Sequence, residues 1–265
     1  MKFNKEYTEY WEAAVSRSID GTVIAGEQQV KHFLKLLGIN NVQKILDLGS
    51  SFGRMYPVLA EFGENIYGCE PDPFAIERCK EYPYVEVKNG TGENTGYENE
   101  LFDLIFCWAV FELVDHVRGL VEFNRILKTG GFAVISGKNS NYQQDDELGI
   151  KAEIGAFRKN FPHRFTRLNQ MVDHLEDFGF EICKLLVFPR RGDFGLLNYV
   201  DMTNSHKLEF VGYEYLLLIT KSKSELSSKV SVLDLESKIS DAASANAEMG
   251  GYESAQKYLS TFGIE

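Results

Sequence analysis

Cysteine is sparse in this sequence of 265 residues. Its four members, Cys69, Cys79, Cys107 and Cys183, form no C-x-x-C pair. Two of them lie inside apolar runs, where a thiol behaves as a small hydrophobe. Reduced, structural thiols are therefore expected rather than a metal knuckle or a disulfide framework. Positive charge is also in short supply: 28 lysines and arginines face 39 acidic residues, for a net charge of −11. A field of that sign repels polyanions, which argues against nucleic acid or anionic membrane as partners of the surface as a whole. No apolar run reaches the roughly 18 residues of a membrane span, and the first eleven residues, MKFNKEYTEYW, contain no apolar signal-peptide core. A soluble, cytoplasmic protein is the expectation. Internal repeats are missing, and no metal-ligand spacing stands out among the five histidines and the many carboxylates.

What is present is an ordinary globular composition, 44% apolar and 13% aromatic, with ample material for a core. The centre alternates short apolar runs with amphipathic segments. Strands are expected at 44–48, 66–70, 85–88, 102–107 and 132–136. Between them Met55, Val58, Leu59 and Phe62 share one helical face, Asp72 caps a helix opening at Pro73, and Asp115 caps a helix carrying Val117, Leu120 and Val121. Five strands with helical crossovers imply a parallel sheet covered on both faces.

Beyond 137 the pattern changes. A long polar stretch to about 162 shows no period, and a helix then carries Leu168, Met171, Val172 and Leu175. Two strand-like runs, 181–187 and 213–220, have no helix between them and read as an antiparallel edge pair joined by an insertion. The expected organisation is an N-terminal helical lid at 1–40, a central domain at 41–221 with insertions near 138–165 and 188–212, and a helical tail at 222–265. In that tail Val232, Leu235, Ile239, Ala242 and Met249 give helical spacing. Docking on its own domain is the expected fate of the tail, with homodimer formation or mobility as the alternatives.

The chemistry concentrates at the carboxyl ends of the first strands, where open α/β sheets bind ligands. The first strand runs into Asp47-Leu48-Gly49-Ser50-Ser51-Phe52-Gly53, a loop of small residues before a helix N-terminus. Glu70 ends the second strand, where a carboxylate can accept hydrogen bonds from both hydroxyls of a ribose. Together these features favour an adenosine-containing ligand. A dinucleotide-binding dehydrogenase would use the same places, but its G-x-G-x-x-G fingerprint cannot be drawn through Gly49 and Gly53.

The runs ILDLGSSFGR, IYGCEPD, FDLIFCWAVFELVDH and ILKTGGFAVIS, in that order, resemble the class I S-adenosylmethionine-dependent methyltransferases over residues 44 to 137. The later HRFTRLNQMVDHLEDFGFEICKL is similar to the last helix and sixth strand of that fold. The resemblance implies a doubly wound, mostly parallel seven-stranded α/β sheet with an antiparallel last strand. It implies S-adenosyl-L-methionine as cofactor and S-adenosyl-L-homocysteine as product. Asp47, Gly49, Ser50, Ser51 and Gly53 would frame the methionine end, Glu70 the ribose and Pro71 the adenine. The backbone of Thr91-Gly92-Glu93-Asn94 would read the adenine edge, and Cys107 and Trp108 would border the activated methyl group. Ser51 and Thr91 depart from the common pattern, which often has glycine and aspartate there. Tyr10, on the leading helix with Tyr7 and Trp11, would close over the cofactor.

Three residues are candidates for a general base. Glu112 and His116 follow the fourth strand, and His163 lies further on. The bland reading is a solvated Glu112 and a His116 that merely begins a helix; a base is not required when the methyl group arrives activated. Arg158, Lys159, Arg164 and Arg167 surround His163 with no acid among them. Joined by Arg190 and Arg191, they suggest an anionic acceptor, set against the bland reading of a solvated, ion-paired face. Phe188, Phe194, Leu196, Leu197 and Tyr199 of the second insertion would floor an acceptor pocket or form a subunit contact. The expected function is methyl transfer to a small molecule. An oxygen acceptor is favoured by the absence of the N-P-P-Y signature of amino-group methylation. The alternatives are a non-catalytic cofactor-binding module of a biosynthetic assembly and, behind it, an NAD-dependent dehydrogenase.

Overall fold

The structure, a computed structural model, describes residues 26–158, 164–205, 210–222 and 232–242. Tyr7, Tyr10, Trp11, Lys159, His163 and Met249 lie outside the described residues. Each expected central strand is present, because a strand covered on both faces reads as a near-continuous apolar run. These are β1 (Val42–Leu48), β2 (Gly63–Glu70), β3 (Glu86–Asn89), β4 (Phe102–Cys107) and β5 (Leu127–Lys138). The crossovers are α2 (Tyr56–Leu59), α3 (Pro73–Cys79) and α4 (His116–Ile126), with α1 (Glu27–Leu36) ahead of them. Both expected caps are made: Asp72 accepts the Phe74 N–H at 2.9 Å and Asp115 the Arg118 N–H at 3.0 Å.

After β5 come α5 (Glu147–Arg158), β6 (Arg164–Thr166), α6 (Leu168–His174), β7 (Phe180–Phe188), α7 (Asp193–Leu196), β8 (Val200–Asp201), β9 (Glu214–Lys221), α8 (Val232–Ile239) and β10 (Ser240–Ala242). The main sheet runs β3-β2-β1-β4-β5-β9-β7-β8. It has eight strands rather than the expected seven, because two residues of the second insertion add β8 to the edge of β7. Strand β9 is antiparallel to both β5 and β7, and the pairs among β1 to β5 are parallel.

Helix α5 occupies a stretch that showed no period. Gly149 stands inside it because a Cβ there would lie 2.8 Å from the Tyr213 ring. Its start is signalled instead by Asp146, whose carboxylate accepts the Gly149 N–H at 3.0 Å. The segment 232–242 lies on its own domain: β10 pairs antiparallel with β6, and Leu235 and Ile239 are buried in the core with Val117, Leu168 and Met171. One core thus lies between the sheet and α4, α6 and α8. The other, on the opposite face, takes Val30, Phe33 and Leu34 of α1 together with Tyr56, Val58 and Leu59 of α2.

Candidate active site

Strand order reverses at β1, which is flanked by β2 and β4, and the loops leaving these three strands line one edge of the sheet. Glu70 joins two of them. Its Oε2 accepts the Ser51 N–H at 2.8 Å and its Oε1 the Asp72 N–H at 3.0 Å. Burial pushes its carboxyl up to about 7, against the pull of those two N–H groups. Asp47, next to it on β1, is buried, and its Oδ2 has no hydrogen-bond partner among the described residues. Burial raises its pKa well above the usual carboxylate range, Arg54 pulls it back, and the Glu70 charge adds to the rise.

Gly49 and Gly53 both adopt left-handed backbone, with φ of +70° and +75°. Their missing side chains are used for packing: a Cβ would lie 2.5 Å from Val110 at the first and 2.5 Å from Tyr56 at the second. Ser51 takes the same region without being glycine, at φ 49°. Ser50 is buried beneath the loop. Pro71 is half-buried in the turn after β2.

Beyond β3, Thr91 and Asn94 close a tight turn through reciprocal backbone bonds of 3.0 and 3.2 Å. Gly92 presses on Val114, and Glu93 accepts the Asp115 N–H at 2.6 Å, so its side chain ties this turn to the start of α4. Cys107 is wholly buried, which pushes its thiol up. Trp108 lies on the Phe106 ring at 5.3 Å and meets Phe194 edge-on at 5.1 Å. The loop after Trp108 is fixed to β5 by a 2.7 Å bond from the Ala109 N–H to Ser136 Oγ.

The structure separates the candidate bases. Glu112 is buried and paired with Lys138 at 3.0 Å. His116 is fully buried and stacked on Phe111 at 4.4 Å. Burial and then the nearby Arg164 charge pull its pKa down to about 4. Of the basic group, Arg164 pairs with Glu236 at 3.6 Å, and Arg190 with Asp145 at 2.9 Å. Arg191 instead turns inward, its Nη1 3.3 Å from the Tyr213 hydroxyl.

Sequence reasoning missed Lys138 and Glu214, which face each other across β5 and β9. Their only local signal is a charged residue at the end of an apolar strand, on the edge where ligands bind. Glu214 is only partly exposed, and its Oε2 is sealed from water without a hydrogen-bond partner among the described residues. Burial pushes it up to about 7, while Arg191 and Lys138 pull it down. Among the described residues no cluster of three or more histidine, cysteine or acidic side chains suits a metal ion, and no helix is long and apolar enough to cross a membrane.

Asp47 and Glu70 suit the two ends of an amino-acid nucleoside. Among the described residues the Asp47 oxygen has no donor, which an ammonium group would supply. The Glu70 oxygens keep acceptor capacity beyond the two backbone bonds, which a ribose diol would use.

Known proteins resemble this chain in part. A methyltransferase domain family matches residues 46–135. A demethylmenaquinone methyltransferase of Chlorobaculum parvum is 32% identical over 96 residues, 35% of this chain and 39% of that protein. The chain thus spans about two fifths of the length of the curated relatives it matches first. Among solved structures, an S-adenosylmethionine-dependent methyltransferase of Thermotoga maritima superposes with a TM-score of 0.60 at 22% identity, covering 81% of this chain and 97% of that one. One from Archaeoglobus fulgidus gives 0.53 at 14% identity, over 74% and 95%. At these identities the structural likeness speaks for the fold.

Proposed function

With residues 46–135 belonging to the methyltransferase-domain family, we propose that this class I protein moves a methyl group from S-adenosylmethionine to an oxygen of a small-molecule acceptor. The observation that carries the reading is the pair of buried carboxylates closing β1 and β2. Asp47 has an oxygen with no donor among the described residues, and Glu70 is oriented by the Ser51 and Asp72 N–H groups. Asp47 would hold the cofactor's ammonium and Glu70 its ribose, with Pro71 and the turn at Thr91 to Asn94 bordering the adenine. The bound cofactor supplies a methyl group already activated as a sulfonium. The chain's remaining task is to hold the acceptor in line and exclude water. Trp108, with Cys107 behind it, would wall the reacting centre, and the Ala109–Ser136 bond keeps that wall in place.

The buried His116 and the ion-paired Glu112 are poorly placed as bases, so orientation carries the larger share in this reading. The basic side chains at this end of the sheet include Lys138, paired with Glu112, and Arg191, bonded to the Tyr213 hydroxyl, and an anionic acceptor would have to share them. The test is release of S-adenosylhomocysteine on incubation with a panel of hydroxyl-bearing and amine-bearing acceptors. Turnover with hydroxyl acceptors is expected. Cofactor binding with no turnover across the panel would overturn the catalytic reading.

A further inference from the structure

Lys138 and Glu214 are a directly opposed antiparallel pair, and Phe188 stands beside Glu214 on β7. Opposed residues project to the same face of a sheet. Two residues further into the sheet, that face carries Ser136, Leu216 and Leu186, and Val134 follows beyond them; Val134, Leu216 and Leu186 share an apolar cluster with Trp108, Phe188 and Phe194. Phe188 and Phe194 are 4.2 Å apart, and Phe194 meets Trp108 at 5.1 Å. Lys138 bonds Glu112 in the turn that follows β4, so the charged pair is tied to the loop that begins at Trp108. Arg191 lies 5.7 Å over the Tyr213 ring, and its backbone N–H is fixed by Asp146 at 2.7 Å. The result is an aromatic wall, backed by Phe33 of α1, ending in Lys138 with its partner Glu112, Arg191 and Glu214.

Within this group, Glu214 Oε2 is shut off from water and accepts no hydrogen bond from the described residues. A buried carboxylate oxygen without a donor is costly, and such a group persists where a ligand supplies the donor. We propose that Glu214, Lys138 and Arg191 form the acceptor subsite, in which Glu214 Oε2 receives the hydroxyl hydrogen of a phenol-type substrate. This rests on the methyltransferase reading and names its substrate class. A neutral hydroxyl offers the missing donor, and its ring suits the wall of Trp108, Phe188 and Phe194. As the proton passes from the acceptor oxygen to Glu214 Oε2, its bonding electron pair stays on the acceptor oxygen as an oxyanion facing the two cations. The proton later leaves Glu214 for water. The groups that face Glu214 are balanced for this exchange: Lys138 and Arg191 favour its ionised form, while Glu112 and Asp146 oppose it.

The experiment uses the full chain with S-adenosylhomocysteine bound, so that nothing turns over, and 4-nitrophenol as the probe, because its ionisation is visible by absorbance. Wild-type protein should bind the probe and enrich its phenolate band below the probe's own pKa. Glu214→Gln should weaken probe binding by about tenfold, the loss of one charge-assisted hydrogen bond, and shift the phenolate fraction of the bound probe. Lys138→Met should reduce the phenolate band. Both variants should keep S-adenosylhomocysteine affinity, which shows that they fold. Equal probe affinity and spectrum in Glu214→Gln would overturn the subsite, as would no probe binding by the S-adenosylhomocysteine-loaded wild type. Failure of the wild type to bind S-adenosylhomocysteine at all would instead overturn the methyltransferase reading, and the subsite with it.

Discussion

Glu70 Oε2 accepts the Ser51 N–H at 2.8 Å, so the carboxylate that ends β2 holds the loop that leaves β1. Burial lifts this group to about 7. Ribose hydroxyls donate to the ionised form, so binding must remove the proton whenever the pH lies below that value. Affinity for S-adenosylhomocysteine should therefore rise as the pH rises toward about 7 and level off above it, by at most about tenfold per pH unit. Glu70→Gln should bind more weakly and lose that slope. Titration calorimetry between acid and mildly alkaline pH checks both outcomes, and an unchanged slope in the variant would assign the pH dependence elsewhere.

Ser51 occupies left-handed backbone at φ 49°, where a Cβ costs roughly 1 kcal/mol. Its N–H, not its side chain, makes the bond to Glu70. Ser51→Gly should stabilise the protein by up to about 1 kcal/mol, less the extra entropy glycine brings to the unfolded chain, and leave cofactor affinity unchanged. Denaturant midpoints decide this. A destabilised variant would show that the serine side chain contributes more than its backbone strain costs.

His116 is buried as a neutral ring, its pKa pulled from 6.5 down to about 4. The unfolded chain therefore binds a proton that the folded chain refuses. The stability contributed by the neutral ring is fully present above about 6.5 and is lost progressively as the pH falls toward about 4, on the order of 3 kcal/mol in all. His116→Phe should flatten this part of the stability profile while sparing turnover. Loss of turnover in a folded His116→Phe protein would return the histidine to the catalytic candidates.

Glu236 connects the segment 232–242 to the domain. Its Oε2 accepts the Val117 N–H at 2.9 Å in the first turn of α4, and its Oε1 lies 3.6 Å from Arg164. Glu236→Ala removes a cap as well as an ion pair and should cost about 1–2 kcal/mol. Chemical denaturation measures it. No loss would mean that the Glu236 cap and ion pair add nothing to the stability of the domain.

Much of this was legible in the sequence, and for a physical reason. Strands buried on both faces read as apolar runs, and the caps at Asp72 and Asp115 need only a local carboxylate, so the central α/β pattern shows through. Glu70 was legible because its place at the end of β2 follows from the strand itself. Helix α5 was not, because Gly149 serves the close approach of Tyr213 and breaks the periodic signal. The pair Lys138 and Glu214 was invisible for another reason: register across β5 and β9 brings it together, and no local spacing encodes it. The basic group was legible as a patch, but its pairing was not, since Arg164 and Arg190 face carboxylates distant in sequence.

The most direct test of the central claim is calorimetric titration of the protein with S-adenosylmethionine, S-adenosylhomocysteine and NAD, repeated on Glu70→Ala. The account predicts micromolar binding of both sulfur ligands, weakened when Glu70 is lost, and no comparable binding of NAD. Failure of folded protein to bind either sulfur ligand, or tight binding of NAD alone, would contradict it.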